Sequence, residues 1–253
     1  MIEFNIGIAG RVAAVSAMYE STRKYCENFL TREAPDFAVS VTAADIAFER
    51  QKAAREDQVE GLPPRQYSDP YLEIIAVQRK ITQKLFEYDT LLFHGSVVAV
   101  DGDGYLFTAK SGTGKSTHTR LWRRVLGDRA VMVNDDKPFL RITPEGVFAC
   151  GSPWNGKHKL GGNLCVPLKA VCVLQRGGEN RIRAVPAADV LQMLFQQSSR
   201  PMDARLMPKY MELIDGLAGG VSFYRLWCNM DPEAALVAFG AMSAGGKEDQ
   251  DED

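Results

Sequence analysis

Apolar positions along the chain alternate between strand-like and helix-like spacing. The first apolar stretch, residues 2–8, reads as a strand, and residues 13–29 read as a helix. Val39-Ser40-Val41 has the texture of a short strand, and Thr42 is placed to cap a helix that begins near Ala43. Residues 55–70, with Gly61 and the Pro63-Pro64 pair, break the pattern and predict a loop. Residues 71–88 predict a helix, because Leu72, Ile75, Val77, Ile81 and Leu85 keep an apolar face.

From Leu91 the texture changes. Residues 92–100 are apolar and β-branched, 101–104 are turn chemistry, and 105–109 form a second strand. So short a connection requires antiparallel pairing, since a parallel pair needs a crossover of about a dozen residues or more. A glycine-rich loop follows, then a helix over 115–126 and a strand over 130–133 that ends in Asn134-Asp135-Asp136. Residues 139–142 and 147–150 flank Pro144-Glu145-Gly146 as a second hairpin, and 151–163 form a polar, glycine-rich loop. A buried strand at 170–174, helices at 187–197 and 207–217, a strand at 222–226 and a helix from Asp231 to Met242 complete the pattern. The expected class is α/β, a mixed α+β sheet with partly antiparallel pairing. The expected division is an N-terminal α/β segment (1–90) packed on a core, the core itself (91–242), and a disordered acidic tail (243–253).

Composition narrows the partners. With 253 residues, 45% hydrophobic and 25% charged, the chain is in the range of ordinary globular proteins. No apolar run approaches the length of a membrane span, and the N-terminus lacks the basic start of a signal peptide. Five scattered cysteines without a C-x-x-C pair argue against a disulfide framework or a zinc site, so a reducing, cytoplasmic setting is expected. The net charge of −2 is concentrated in the last seven residues, which carry five acids and one lysine. The remaining 29 basic and 27 acidic side chains are too evenly balanced to point to nucleic acid.

The stretch Ala109-Lys110-Ser111-Gly112-Thr113-Gly114-Lys115-Ser116-Thr117 matches the phosphate-binding loop pattern, with alanine at its first glycine. Glycines at 112 and 114 let successive backbone N–H groups converge on an anion. The helix that starts at Lys115 directs its positive end to the same place. Lys115 is then expected on the β- and γ-phosphates, and Ser116 in a Mg²⁺ shell. ATP and Mg²⁺ are the expected cofactors, with Ser111–Thr117 as the nucleotide-binding residues.

His94-Gly95, the hairpin, Ser111-Gly112-Thr113-Gly114-Lys115-Ser116 and Asp135-Asp136 resemble, in order and spacing, the kinase core of the HPr kinase/phosphorylase family. That family shares a phosphoenolpyruvate carboxykinase-type nucleotide-binding fold, which the resemblance implies here. It covers roughly residues 91–138, with a looser match onward to 174. Two departures stand out. Lys110 precedes the loop where those kinases carry an acid, and 151–159 (Gly-Ser-Pro-Trp-Asn-Gly-Lys-His-Lys) stands in place of their R-G-L-G signature. These departures speak against HPr itself as the acceptor.

The two carboxylates ending strand 130–133 have a division of labour available, because strand side chains alternate faces. The resemblance implies Asp136 as the base for the acceptor hydroxyl and Asp135 as the metal-side acid, though the residues alone allow the reverse. It also makes His94 a phosphate or metal contact. Lys137, Lys157, His158 and Lys159 could neutralise transferring charge or form a solvated basic loop. Trp154 either stacks on a ligand or anchors its loop. The expected function is phosphoryl transfer from ATP to a hydroxyl of a small molecule, peptide or small protein, in a possible homo-oligomer. A nucleotide sensor without turnover, or a carboxykinase-like lyase, would use the same loop.

Overall fold

The computed structural model describes residues 1–245, and the acidic run expected to form a disordered tail lies almost wholly outside them. Residues 243 and 244 belong to the last helix rather than to that tail. The chain divides into two compact units at Leu85/Phe86. Residues 86–90, placed with the N-terminal segment on sequence, therefore belong to the second unit, where Phe86 is fully buried in the core.

In the first unit, β1 (Ile2–Ile8) and β2 (Arg11–Ala17) form a hairpin in which Ile2 faces Ala17 and Ile8 faces Arg11. The helix expected at 13–29 is thus a strand followed by one short helix, α1 (Glu20–Tyr25). The turn explains it. Ala9 and Gly10 both have positive φ, 50° and 74°, as a two-residue hairpin turn whose twist suits the strands requires. The pairing with β1 overrides the helical reading. β3 (Leu30–Thr31) and β4 (Phe37–Ser40) complete a sheet ordered β3-β1-β2-β4. Thr42 precedes α2 (Ala43–Val59), and Asp45 closes the capping box by accepting from the Thr42 N–H at 2.9 Å. α2 runs five residues further than expected, and the chain turns back where Asp57 accepts from the Arg65 backbone and guanidinium. α3 (Asp69–Leu85) packs beside α2, and Arg79 on it bonds Glu49 and Asp45.

The second unit is built on one mixed, curled sheet. β5 (Thr90–Leu92), β6 (Ser96–Val100) and β7 (Asp103–Thr108) precede α4 (Lys115–Leu126). β8 (Ala130–Asn134), β9 (Phe139–Thr143), β10 (Gly146–Cys150), β11 (Cys165–Arg176) and β12 (Arg181–Val185) follow. Then come α5 (Leu191–Gln197), α6 (Met207–Gly220), β13 (Ser222–Cys228) and α7 (Glu233–Ala244). The strand order is β5-β9-β10-β11-β7-β6-β8, with β13 on β11 and β12 on β13. β6 and β7 pair antiparallel as expected, whereas β7, β11 and β13 run parallel. The sheet buries both faces. One, with Val97, Leu106, Val171 and Phe223, meets α5 and α6; the other, with Val98, Phe107, Cys172 and Leu226, meets α4 and α7.

Two features depart from expectation here. The strand expected over 92–100 is interrupted at His94-Gly95, where the His94 N–H donates to the Gln197 carbonyl at 2.7 Å instead of to a strand neighbour. Cys150 and Cys165 are joined as a disulfide, contrary to the reading of the cysteines as unpaired. They face each other across β10 and β11 with Cα atoms 4.1 Å apart. The Gly151 N–H donates to the Leu164 carbonyl, which makes the pair a non-hydrogen-bonded one, where side chains approach most closely.

Candidate functional site

The glycine-rich loop leaves the C-terminal end of β7 and enters α4 at Lys115. Gly112 and Gly114 have φ of +76° and +122°, and a Cβ added to either would meet no atom within 4 Å. Their glycine character therefore answers to backbone conformation and to open space over the loop, the condition for an anion to reach the N–H groups. Ser111 and Gly112 are exposed, Thr113, Gly114, Lys115 and Thr117 are half-buried, and Ser116 is exposed on the first turn of α4. The Lys115 ammonium lies back over the loop, 3.3 Å from the Ala109 carbonyl. Burial lowers its pKa, against the charge of Asp136, which raises it. An ammonium partly stripped of water beside exposed loop amides has much to gain from an anion.

β8 runs antiparallel to β6, and β6 to β7, so β8 delivers Asp135 and Asp136 to the same end of the sheet as the loop. The two carboxylates part ways there. Asp135 is 6% exposed, and its Oδ1 accepts from the Gly156 N–H at 2.6 Å. Burial raises its pKa, opposed by the Gly156 and Leu160 N–H groups that bond to it. Asp136 is half-buried, with Oδ1 3.3 Å from His94 Nε2 and Oδ2 3.6 Å from Lys137 Nζ. Burial alone would push its pKa up, but the His94 hydrogen bond and the Lys137, His94 and Lys115 charges outweigh it and hold the carboxyl below its usual value. Asp136 is therefore ionised at neutral pH, within the field of three basic side chains.

Asn134, which sequence reasoning treated only as part of a strand end, organises this corner. It is fully buried, and its Oδ1 accepts from the N–H groups of Asp136 and Lys137 at 2.8 and 2.6 Å. Its Nδ2 donates to the Ser152 carbonyl at 3.1 Å, and the Ser152 hydroxyl donates to the Lys137 carbonyl at 2.6 Å. The Asn-Asp-Asp order was the available signal, since Asn side chains readily accept from backbone two residues on. His94 is placed by three contacts: the Gln197 carbonyl, the Thr108 hydroxyl on its own carbonyl at 3.1 Å, and the Gly95 N–H bonded to the Asp136 carbonyl.

The segment from Gly151 to Leu164 arches over Asp135, closed at its base by the disulfide and held at its crest by Gly156 and Leu160. Trp154 is 5% exposed against Phe139, so it anchors the loop and offers no face to a ligand. Lys157, His158 and Lys159 are exposed on the arch. Arg120, Arg123 and Arg124 point outward from α4. His118, which carried no expectation, is 3% exposed one turn after the loop, where its Nε2 accepts from the Trp122 indole at 3.0 Å.

A family model described as "SynChlorMet cassette protein ScmC" matches residues 65–212, more than half of the chain. The chain belongs to the ScmC family. The ScmC match spans the glycine-rich loop, the Asp135-Asp136 pair and the arch, and stops before β13 and α7. No curated protein matches. Among solved structures, the HPr(Ser) kinase/phosphatase of Coxiella burnetii is similar at 10% identity and a TM-score of 0.36, covering 60% of this chain and 97% of that one. Among the described residues no helix is long and apolar enough to cross a membrane.

Proposed function

We propose that this ScmC-family chain is an ATP-dependent kinase that transfers the γ-phosphoryl group to a hydroxyl. The observation that carries this reading is the placement of an ionised Asp136, flanked by His94 and Lys137, at the sheet end where the glycine loop opens. In this reading the backbone N–H groups of 111–117 cradle the phosphates, and Lys115 balances the charge that gathers on the β,γ-bridging oxygen as the bond breaks. Asp136 accepts the proton of the acceptor hydroxyl as its oxygen bonds to the γ-phosphorus and ADP leaves. Its depressed pKa makes it a weak base, so its contribution is chiefly to orient the hydroxyl and to take its proton late.

Among the described residues no three His, Cys, Asp or Glu side chains converge into a metal cage. That fits Mg²⁺, which is commonly held by one or two protein oxygens plus substrate phosphates and water. The exposed Ser116 hydroxyl and an Asp135 or Asp136 carboxylate are the oxygens available, and Mg²⁺ would supply neutralisation of phosphate charge. At Asp135, two backbone N–H groups already compete for the oxygens, which favours a role in holding the arch.

The test is Asp136→Asn, with ATP binding followed by calorimetry and slow ATP hydrolysis, water serving as acceptor, followed by ADP release. ATP affinity should stay within a few-fold while the rate falls by roughly 10²–10⁴. An unchanged rate would remove Asp136 from the chemistry.

A further inference from the structure

The sheet order gives the bound nucleotide a direction. β6 and β8, with His94 just before the one and Asp136 just after the other, lie on one side of β7, and β11, β13 and β12 lie on the other. A phosphate chain seated on the loop with its reacting end toward Asp136 has its opposite end directed across β11.

At that end stands a group of side chains the phosphoryl-transfer site does not use. Arg176, at the tip of β11, donates to the Gly112 carbonyl of the loop at 2.6 Å. Trp227 pairs with Gln175 of β11 on one side and with Arg181 of β12 on the other. The Arg181 and Arg183 guanidiniums lie 4.4 and 5.5 Å from the centre of the Trp227 ring. Gln175 lies two residues beyond Val173, which pairs with Thr108, so this row is level with the glycine loop. Strand spacing puts Trp227, two strands from β7, about 10 Å away.

The group is open and cationic. Arg181, Ile182, Arg183 and Trp227 line a shallow recess of about 270 Å³. Among the described residues none of Arg176, Arg181 and Arg183 has a carboxylate within ion-pairing distance. Glu233 bonds to Asn180 and Asp231 to Asn229, while Glu179, in the turn before Arg181, is exposed. Guanidinium planes stacked on this indole suit a flat, electron-rich ring.

Resting on the nucleotide reading above, we infer that the recess at Trp227 and Arg181 holds the base of the nucleotide, with Arg176 beside its α-phosphate. Arg181 and the indole supply the stacking surface, and the β11 edge carries the ribose between them. Stacking of this kind tolerates different bases, so the site selects for a nucleoside more than for adenine.

Calorimetry with Mg²⁺-ATP and with inorganic tripolyphosphate separates base from phosphates. Trp227→Ala should weaken ATP about 10- to 100-fold, leave tripolyphosphate within two-fold, and be largely restored in Trp227→Phe. Arg181→Gln, on an edge strand where folding is least at risk, should shift ATP in the same direction and again spare tripolyphosphate. Equal losses for both ligands, or no loss for either, would overturn the inference while leaving the loop assignment standing. If the unmodified protein bound neither ligand, the nucleotide reading would fail and this inference with it.

Discussion

His118 offers a test of how the helix behind the glycine-rich loop is held. Its ring is buried against Phe107, with centroids 4.7 Å apart, and accepts from Trp122 through Nε2, while Nδ1 has no partner among the described residues. Burial therefore lowers its pKa from 6.5 to about 4. The unfolded chain takes up the proton near pH 6.5 and the folded one only near pH 4, so between these values the unfolded state binds more protons. Stability from this residue is present in full above pH 6.5 and is lost as the pH falls toward 4. At 1.36 kcal/mol per pH unit the whole window is worth about 3 kcal/mol, and about 2 kcal/mol of it is gone by pH 5.

The perturbation is His118→Gln, which removes the titration. Urea unfolding of both proteins from pH 7 to 4.5 gives the difference directly, because carboxylate titrations common to both cancel. The gap between them should shrink or reverse by about 2 kcal/mol on going from pH 7 to 5. The protection of the α4 amides, taken relative to their intrinsic exchange at each pH, should fall over the same window in the unmodified protein only, since His118 fixes the helix one turn after Lys115. A gap independent of pH, or a His118 ring that titrates by NMR near 6.5 in the folded protein, would refute the argument.

Two further outcomes follow from the site. Lys115→Ala should weaken ATP binding and abolish ADP release, as the loop loses its half-buried cation; normal binding and turnover would remove the loop from the mechanism. Asp135→Ala should leave the Gly156 and Leu160 N–H groups without their acceptor. The cost should be about 1–3 kcal/mol, with faster exchange at those two amides; unaltered exchange there would show that the arch does not depend on Asp135.

Local chemistry was enough to place the glycine-rich loop. Two glycines, a lysine and a hydroxyl between a strand and a helix can be read without knowing what surrounds them, and the structure has β7 ending before that loop and α4 opening at Lys115. The β6–β7 hairpin, the Thr42 cap and the β9–β10 hairpin were legible for the same reason: each is set by residues a few positions apart. The residues of β2 were misread because alanine suits either state and only the pairing with β1 decides between them.

What the tertiary structure decided is the division between Asp135 and Asp136. Adjacent in sequence and identical in chemistry, they differ because Gly156 and Leu160, more than twenty residues on, reach one of them, while His94 and Lys137 face the other. The Cys150–Cys165 bond and the row from Arg176 to Trp227 and Arg181 likewise depend on strand register, which brings together residues whose separation in the chain carries no signal. Sequence by itself determined the elements whose hydrogen bonds close locally. Which side chains share one solvent-exposed end of the sheet was settled only by pairing strands distant in the chain, and with it each group's burial and charge.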